Sequence, residues 1–81
     1  MANTSRDIPA GSAVAVTPSD SVNISETTRG IYVGTTGDVV VVMADASVVT
    51  FTAVPAGAIL PIRITRVNST NTTASNIVAL W

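Results

Sequence analysis

The chain has 81 residues, a net charge of −1, 47% hydrophobic and only 11% charged residues, and neither Cys nor His. Disulfides are excluded, the usual zinc ligands are missing, and four Arg without a Lys make no basic stripe for nucleic acid. What is left is one small domain: at this size roughly 60% of the unfolded surface is buried on folding, so association is the expected staple.

Residues 1–11 are polar around Ile8-Pro9 and read as an extended arm ahead of a single β domain at 12–81. Pro9 forbids a regular ladder position and holds Ile8 extended. The polar start does not read as a signal peptide, so synthesis in the cytoplasm is expected. No run approaches the roughly 20 apolar residues of a membrane-spanning helix, and no membrane partner is expected. Ser12 to Thr17 is the first predicted strand, with Val14 and Val16 on one face. Ala13 and Ala15 on the other face would allow another surface to approach closely. Thr17-Pro18-Ser19-Asp20-Ser21 is a turn signal. Val22 to Ile24 is a short extended piece.

Thr28 to Ala53 organises the rest. Ile31–Gly34, Val39–Ala44 and Val48–Ala53 read as three strands of an antiparallel meander. Gly37 is expected to supply positive φ in the first turn. Ala46 sits at the tip of the second turn, where a left-handed conformation costs Ala roughly 1 kcal/mol. Asp45 and Ser47 can offset that through side-chain bonds to the backbone. Val39 to Met43 is apolar at every position, whereas a strand with one wet face alternates. One face is expected on the domain's own core and the other on a neighbouring subunit. The alternative is a strand sandwiched within the monomer.

Val54-Pro55-Ala56-Gly57 is a second turn, read with Pro at its second position. Ala58 to Asn68 reads as a long extended run with Leu60, Ile62 and Ile64 on one face and Arg63, Thr65 and Val67 on the other. Pro61 marks an edge or a bulge. Arg63 and Arg66 are an odd number apart, so one of them meets the apolar face unless a bulge resets the register. Ser69 to Ser75 is a polar loop. Asn76 to Trp81 closes the chain as a paired strand, with Trp81 an anchor in the core or in a subunit contact. The sum is an all-β fold, a small antiparallel sandwich or barrel of six to seven short strands, expected to be oligomeric.

Reactive chemistry is sparse. The acids Asp7, Asp20, Glu26, Asp38 and Asp45 are dispersed and suit turns and caps. A Ser nucleophile has neither His nor Lys as its base. No loop has the dense oxygen ligands of a calcium site. No cofactor, no metal and no enzymatic activity are expected.

Several stretches together resemble the head-spike base proteins of gene transfer agents and related tailed phages. They are Pro18-Ser19-Asp20, Thr28 to Gly34, Gly37-Asp38, Val54 to Gly57, Leu60-Pro61-Ile62, Arg66-Val67, Thr72-Thr73-Ala74 and Ile77 to Leu80. Departures are Ala46 in a turn where Gly is expected, Asn71 where a Gly often sits, and a terminal Trp where Tyr is commoner. The resemblance implies a small β protein on the outside of an icosahedral head, in a ring or cluster. It would act as capsid cement or decoration, or as the base of a spike or fibre. The partners so implied are further copies of itself (a trimer or pentamer), the major capsid protein, and a spike or fibre protein. The expected interface residues are Ile8, Pro9, Arg29, Val40, Val42, Arg63, Arg66 and Trp81, with solvated charge the alternative for each Arg. A module binding host-surface glycans is the second reading, weakened by having one Trp and one Tyr for stacking on sugars.

Overall fold

A computed structural model describes residues 11–81; the arm assigned to residues 1–11, with Ile8 and Pro9, lies outside them except for Gly11. Seven strands form two antiparallel sheets. They are β1 (Ala13–Ala15), β2 (Gly30–Thr35), β3 (Gly37–Met43), β4 (Val48–Val54), β5 (Ala58–Leu60), β6 (Ile64–Val67) and β7 (Ser75–Leu80). One sheet, here sheet A, has the order β1-β7-β2-β5; the other, sheet B, has the order β4-β3-β6. Between them lies an apolar core in which Ile31, Val33 and Ile77 from sheet A meet Val39, Val41, Ile64 and Val67 from sheet B. The fold is therefore the sandwich form of the all-β expectation.

The meander is half right. β3 and β4 form a hairpin, closed by Met43 N–H to Ser47 C=O at 2.7 Å and Ala46 N–H to Met43 C=O at 2.9 Å. Ala46 has φ 75°, and the Asp45 carboxylate accepts the Ser47 N–H at 3.0 Å. The Ser47 side chain first, and its N–H second, hold the Asp45 carboxyl below its ordinary pKa. β2 does not join this hairpin: the chain passes from sheet A to sheet B at Thr36. Gly37 is not a positive-φ turn residue. Its backbone runs so close to the 73–74 segment that an added Cβ would stand 2.5 Å from the Ala74 nitrogen. The missing side chain lets the crossing pass against that loop.

A second crossing breaks the predicted 58–68 run. β5 is an edge of sheet A, and Pro61 to Arg63 carry the chain over to β6 in sheet B. Pro61 thus lies just beyond the end of an edge strand. Register shifts between Val42↔Arg66 and Met43↔Ile64, so β6 contains a bulge at Thr65. The bulge turns both Ile64 and Val67 inward, at 0% and 1% exposure, and keeps Arg66 off the core. Val67 therefore belongs with Ile64, contrary to strict alternation. The turn after β4 is one residue later than expected: Ala58 N–H bonds to Pro55 C=O, and Gly57 carries the positive φ, 84°.

Thr28 is buried and polar. Its hydroxyl donates to Ile62 C=O at 2.9 Å and accepts from Ile64 N–H at 3.0 Å. It ties the approach to β2 to the second crossing and leaves no polar group there without a partner. The stretch from Ser19 to Thr28 follows β6 and bonds to it through Ser19, Ile24 and Thr28 N–H groups. It has no regular strand, yet it covers the outer edge of β6.

Candidate interaction surface

Three of the acids, Asp20, Asp38 and Asp45, serve the scaffold. Asp20 accepts from the Ser69 and Thr70 N–H groups and from the Thr70 hydroxyl. The Thr70 bonds hold the Asp20 carboxyl below its ordinary pKa. Asp38 accepts Ala53 N–H at 2.9 Å, across a bulge where Ala53 has φ 53°. Its main-chain oxygen takes the Thr73 and Ala74 N–H groups. No group of three or more metal-ligating side chains occurs among the described residues.

The outward faces are the surfaces with something to offer. On sheet A, residues alternating with the core positions are Ala13 and Ala15 in β1, Val78 and Leu80 in β7, Gly30 and Tyr32 in β2, and Ile59 in β5. The register sets them side by side: Ala13↔Leu80, Ala15↔Val78, Tyr32↔Val78 and Tyr32↔Ile59. No charge interrupts this face among the described residues, and its polar side-chain groups are the Tyr32 hydroxyl and, at one end, the Asn76 amide, which donates to the Thr35 hydroxyl at 3.0 Å. Ile59 is 61% exposed and Tyr32 37%. On the inner side of β1 an open cavity of about 250 Å³ has a mixed lining, with Val14, Val16, Val22, Ile24 and Val67 beside Thr17, Asn23 and Ser25.

Sheet B turns a mixed face outward. Val40, Val42, Val48, Thr50 and Arg66 lie there by register. The Arg66 guanidinium donates to the Asn68 side chain at 2.9 Å. Val40 is only 7% exposed although it stands outside the sandwich core. Its own chain buries it, so the outer face of β3 is not the bare surface the apolar run suggested; Val42 stays half-buried.

The expected interface residues therefore fall into separate groups. Val40, Val42 and Arg66 share the outer face of sheet B, with Val42 directly opposite Arg66. Arg29 and Trp81 flank the end of β7, where Arg29 N–H bonds to Leu80 C=O at 2.7 Å and Trp81 exchanges main-chain bonds with Ser12. Both are half-buried, so Trp81 is neither fully in the core nor free of it. Arg63 is exposed on the second crossing, where its C=O accepts Ala44 N–H. Of the face of sheet A, sequence reasoning singled out only the Ala13/Ala15 side of β1 and missed the rest. The signal was present: Ile77 to Trp81 is apolar on both faces, as Val39 to Met43 is.

These features define a class: a small two-sheet antiparallel sandwich with a scaffold-bound set of acids and an uncharged outer face. No protein-family model and no curated protein matches the sequence. Among solved structures, a chain in the capsid of a native gene transfer agent (GTA) particle, computed with C5 symmetry, matches with a TM-score of 0.85. The two are 37% identical, over 98% of this chain and 92% of that one. This chain belongs to the same family as that capsid-particle protein.

Proposed function

We propose that the protein is a structural component of a phage-like particle, a non-enzymatic β module that sits on the outside of the capsid as a homo-oligomer. There it serves as cement or as the base of a head spike or fibre. The observation that carries the reading is the near full-length match to a chain of the GTA capsid. The uncharged outer face of sheet A supports it. A surface of aliphatic, Ala and Gly positions with no charge is the composition of a contact core, where charged residues are depleted. Its mechanism is burial: the face of sheet A is covered by a neighbouring copy or by the shell, and Arg29 and Trp81 at its border add polar and aromatic contacts.

The test is to purify particles from producing cells with and without this protein. Expected are its co-sedimentation with particles, density outside the shell in an electron-microscopic reconstruction, and loss of that density with Ile59→Asp. Particles that lack the protein, together with a monodisperse monomer that does not bind empty shells, would overturn the reading.

A further inference from the structure

Each sheet has two edges, and the four edges are treated differently. The outer edge of β6 is covered by residues 19–28. β1 and β5 are three residues long, and β5 is flanked by Pro55 and Pro61. Short strands and edge prolines are the usual ways to stop an edge from recruiting another strand. β4 has neither protection: it runs seven residues, Val48 to Val54, without a charge or a proline, its bulge comes only at Ala53 near its far end, and among the described residues β3 is its one neighbour.

The direction of its main-chain groups follows from the register. Val40 pairs with Thr50, and the N–H and C=O of Val40 bond on the far side, to the Thr72 hydroxyl and to Asn68 N–H. Val40↔Thr50 is therefore a non-hydrogen-bonded pair, in which both residues aim their main-chain groups away from each other. Thr50, and with it Val48 and Thr52, presents N–H and C=O to the open edge. The inward side chains of the same strand, Val49 and Phe51, are only half-buried although they pack on the core. The sandwich stops one strand short of covering them.

We infer that the open edge is filled by β4 of a second copy, antiparallel and centred on Thr50. The strand is self-complementary in this register. Thr50 faces Thr50 of the other copy and Val48 faces Thr52, as hydrogen-bonded pairs using the main-chain groups left open. Val49 faces Phe51 on the inner side, a β-branched residue against an aromatic ring, which is a favourable cross-strand pair. With no charge in the strand, two copies meet without like-charge repulsion. The product is a continuous six-stranded sheet with the order β6-β3-β4-β4-β3-β6. This contact rests on the homo-oligomer proposed above and is isologous, joining copies in twos. An odd-numbered ring cannot close through it and would have to close through sheet A.

The chain contains no Cys, so engineered thiols have no background. A hydrogen-bonded antiparallel pair sets Cα atoms about 5.5 Å apart, inside the range a disulfide spans. Thr50→Cys should therefore convert largely to a covalent dimer under mild oxidation of the full-length protein. Separately made Val48→Cys and Thr52→Cys chains should cross-link when mixed, at least several-fold more than either alone. Glu26→Cys, exposed on the 19–28 segment and outside both contact surfaces, serves as the control for random collision. Thr50→Lys should shift the native mass toward single copies without lowering the unfolding midpoint measured at low protein concentration, where association adds nothing to stability. If Thr50→Cys and the Val48/Thr52 mixture cross-link no faster than the control while the native protein still oligomerises, the edge pairing is wrong and the homo-oligomer survives. If the native protein is a monomer in solution and on particles, both fall.

Discussion

The outer faces of sheets A and B are both rich in aliphatic residues, but they are finished differently. On sheet B the chain closes over its own surface. Val40 is buried by its own chain, Arg66 is bonded to Asn68, and the 68–74 segment bonds back to Asp38 and Val40. On sheet A nothing comparable occurs among the described residues, and Ile59 remains 61% exposed beside Tyr32. An apolar run in the sequence therefore does not say where the unfinished surface is. What decides it is whether a later segment returns to cover the strand. Residues 68–74 return to β3, and none of the described residues does so for the outer face of sheet A.

The comparison breaks most severely at Gly37. The crossing between sheets and the return of the 73–74 segment meet there, and an added Cβ would stand 2.5 Å from the Ala74 nitrogen and 2.8 Å from the Ala74 Cα. Both are main-chain atoms, so no side chain can swing away. Gly37→Ala is expected to cost about 3 kcal/mol, read as a lowered denaturation midpoint. It should also expose Val40 by displacing the segment bonded to Asp38. A variant as stable as the native protein would show that the close approach is dispensable.

The next test sets the two faces against each other directly. Val40→Ala removes buried methyl groups and is expected to destabilise the domain by about 2 kcal/mol. Ile59→Ser removes more apolar surface from an exposed position and should change the stability of the dilute monomer by no more than about 0.5 kcal/mol. The order should invert for association: Ile59→Ser weakens binding to particles, and Val40→Ala leaves it intact in molecules that fold. Chemical denaturation at low protein concentration reads the first effect, since association would otherwise contribute to apparent stability. Sedimentation with particles reads the second. Equal destabilisation by the two substitutions would mean that Ile59 is covered within the monomer.

The elements were legible because turn chemistry and β-rich runs are local. Ala46 at the hairpin tip, Asp45 bonded to Ser47, and a bulge separating Arg63 from Arg66 all follow from neighbours a few residues apart. The partition into sheets was not legible. Thr35-Thr36-Gly37-Asp38 has the composition of a hairpin turn, and only contact with Ala74, far along the chain, makes it a crossing. The same holds for Thr28, whose hydroxyl is committed to Ile62 and Ile64. Apart from Ile8 and Pro9 in the arm, the interface residues chosen from the sequence were those with the boldest side chains: Arg, Trp and a Val run. The face of sheet A is built from Ala, Gly and scattered aliphatics on four strands, and it becomes a surface only when the register aligns them.

The smallest expected effect concerns what holds the covering segment in place. Asp20 bonds to Ser69 and Thr70, at the start of the stretch that returns to β3. Those bonds lower its pKa in the folded protein. A carboxylate with a lowered folded pKa adds stability that is present above its unfolded value, about 3.9, and is lost as the pH falls through the folded one. Acidification below about pH 4 should therefore loosen the 69–70 turn, seen as faster exchange of the Ser69 and Thr70 amides once the intrinsic pH dependence is removed. Asp20→Asn should show the faster exchange already at neutral pH and little further change on acidification. The Ser47 amide is an internal reference, because the Asp45 carboxyl is also lowered but lies at the β3–β4 tip, away from that segment. It should respond to acid in both proteins and to the Asp20 substitution in neither. If Ser69 and Thr70 keep their protection in Asp20→Asn, the carboxylate is not the tether, and the hydroxyls of Thr72 and Thr73 on β3 hold the segment by themselves.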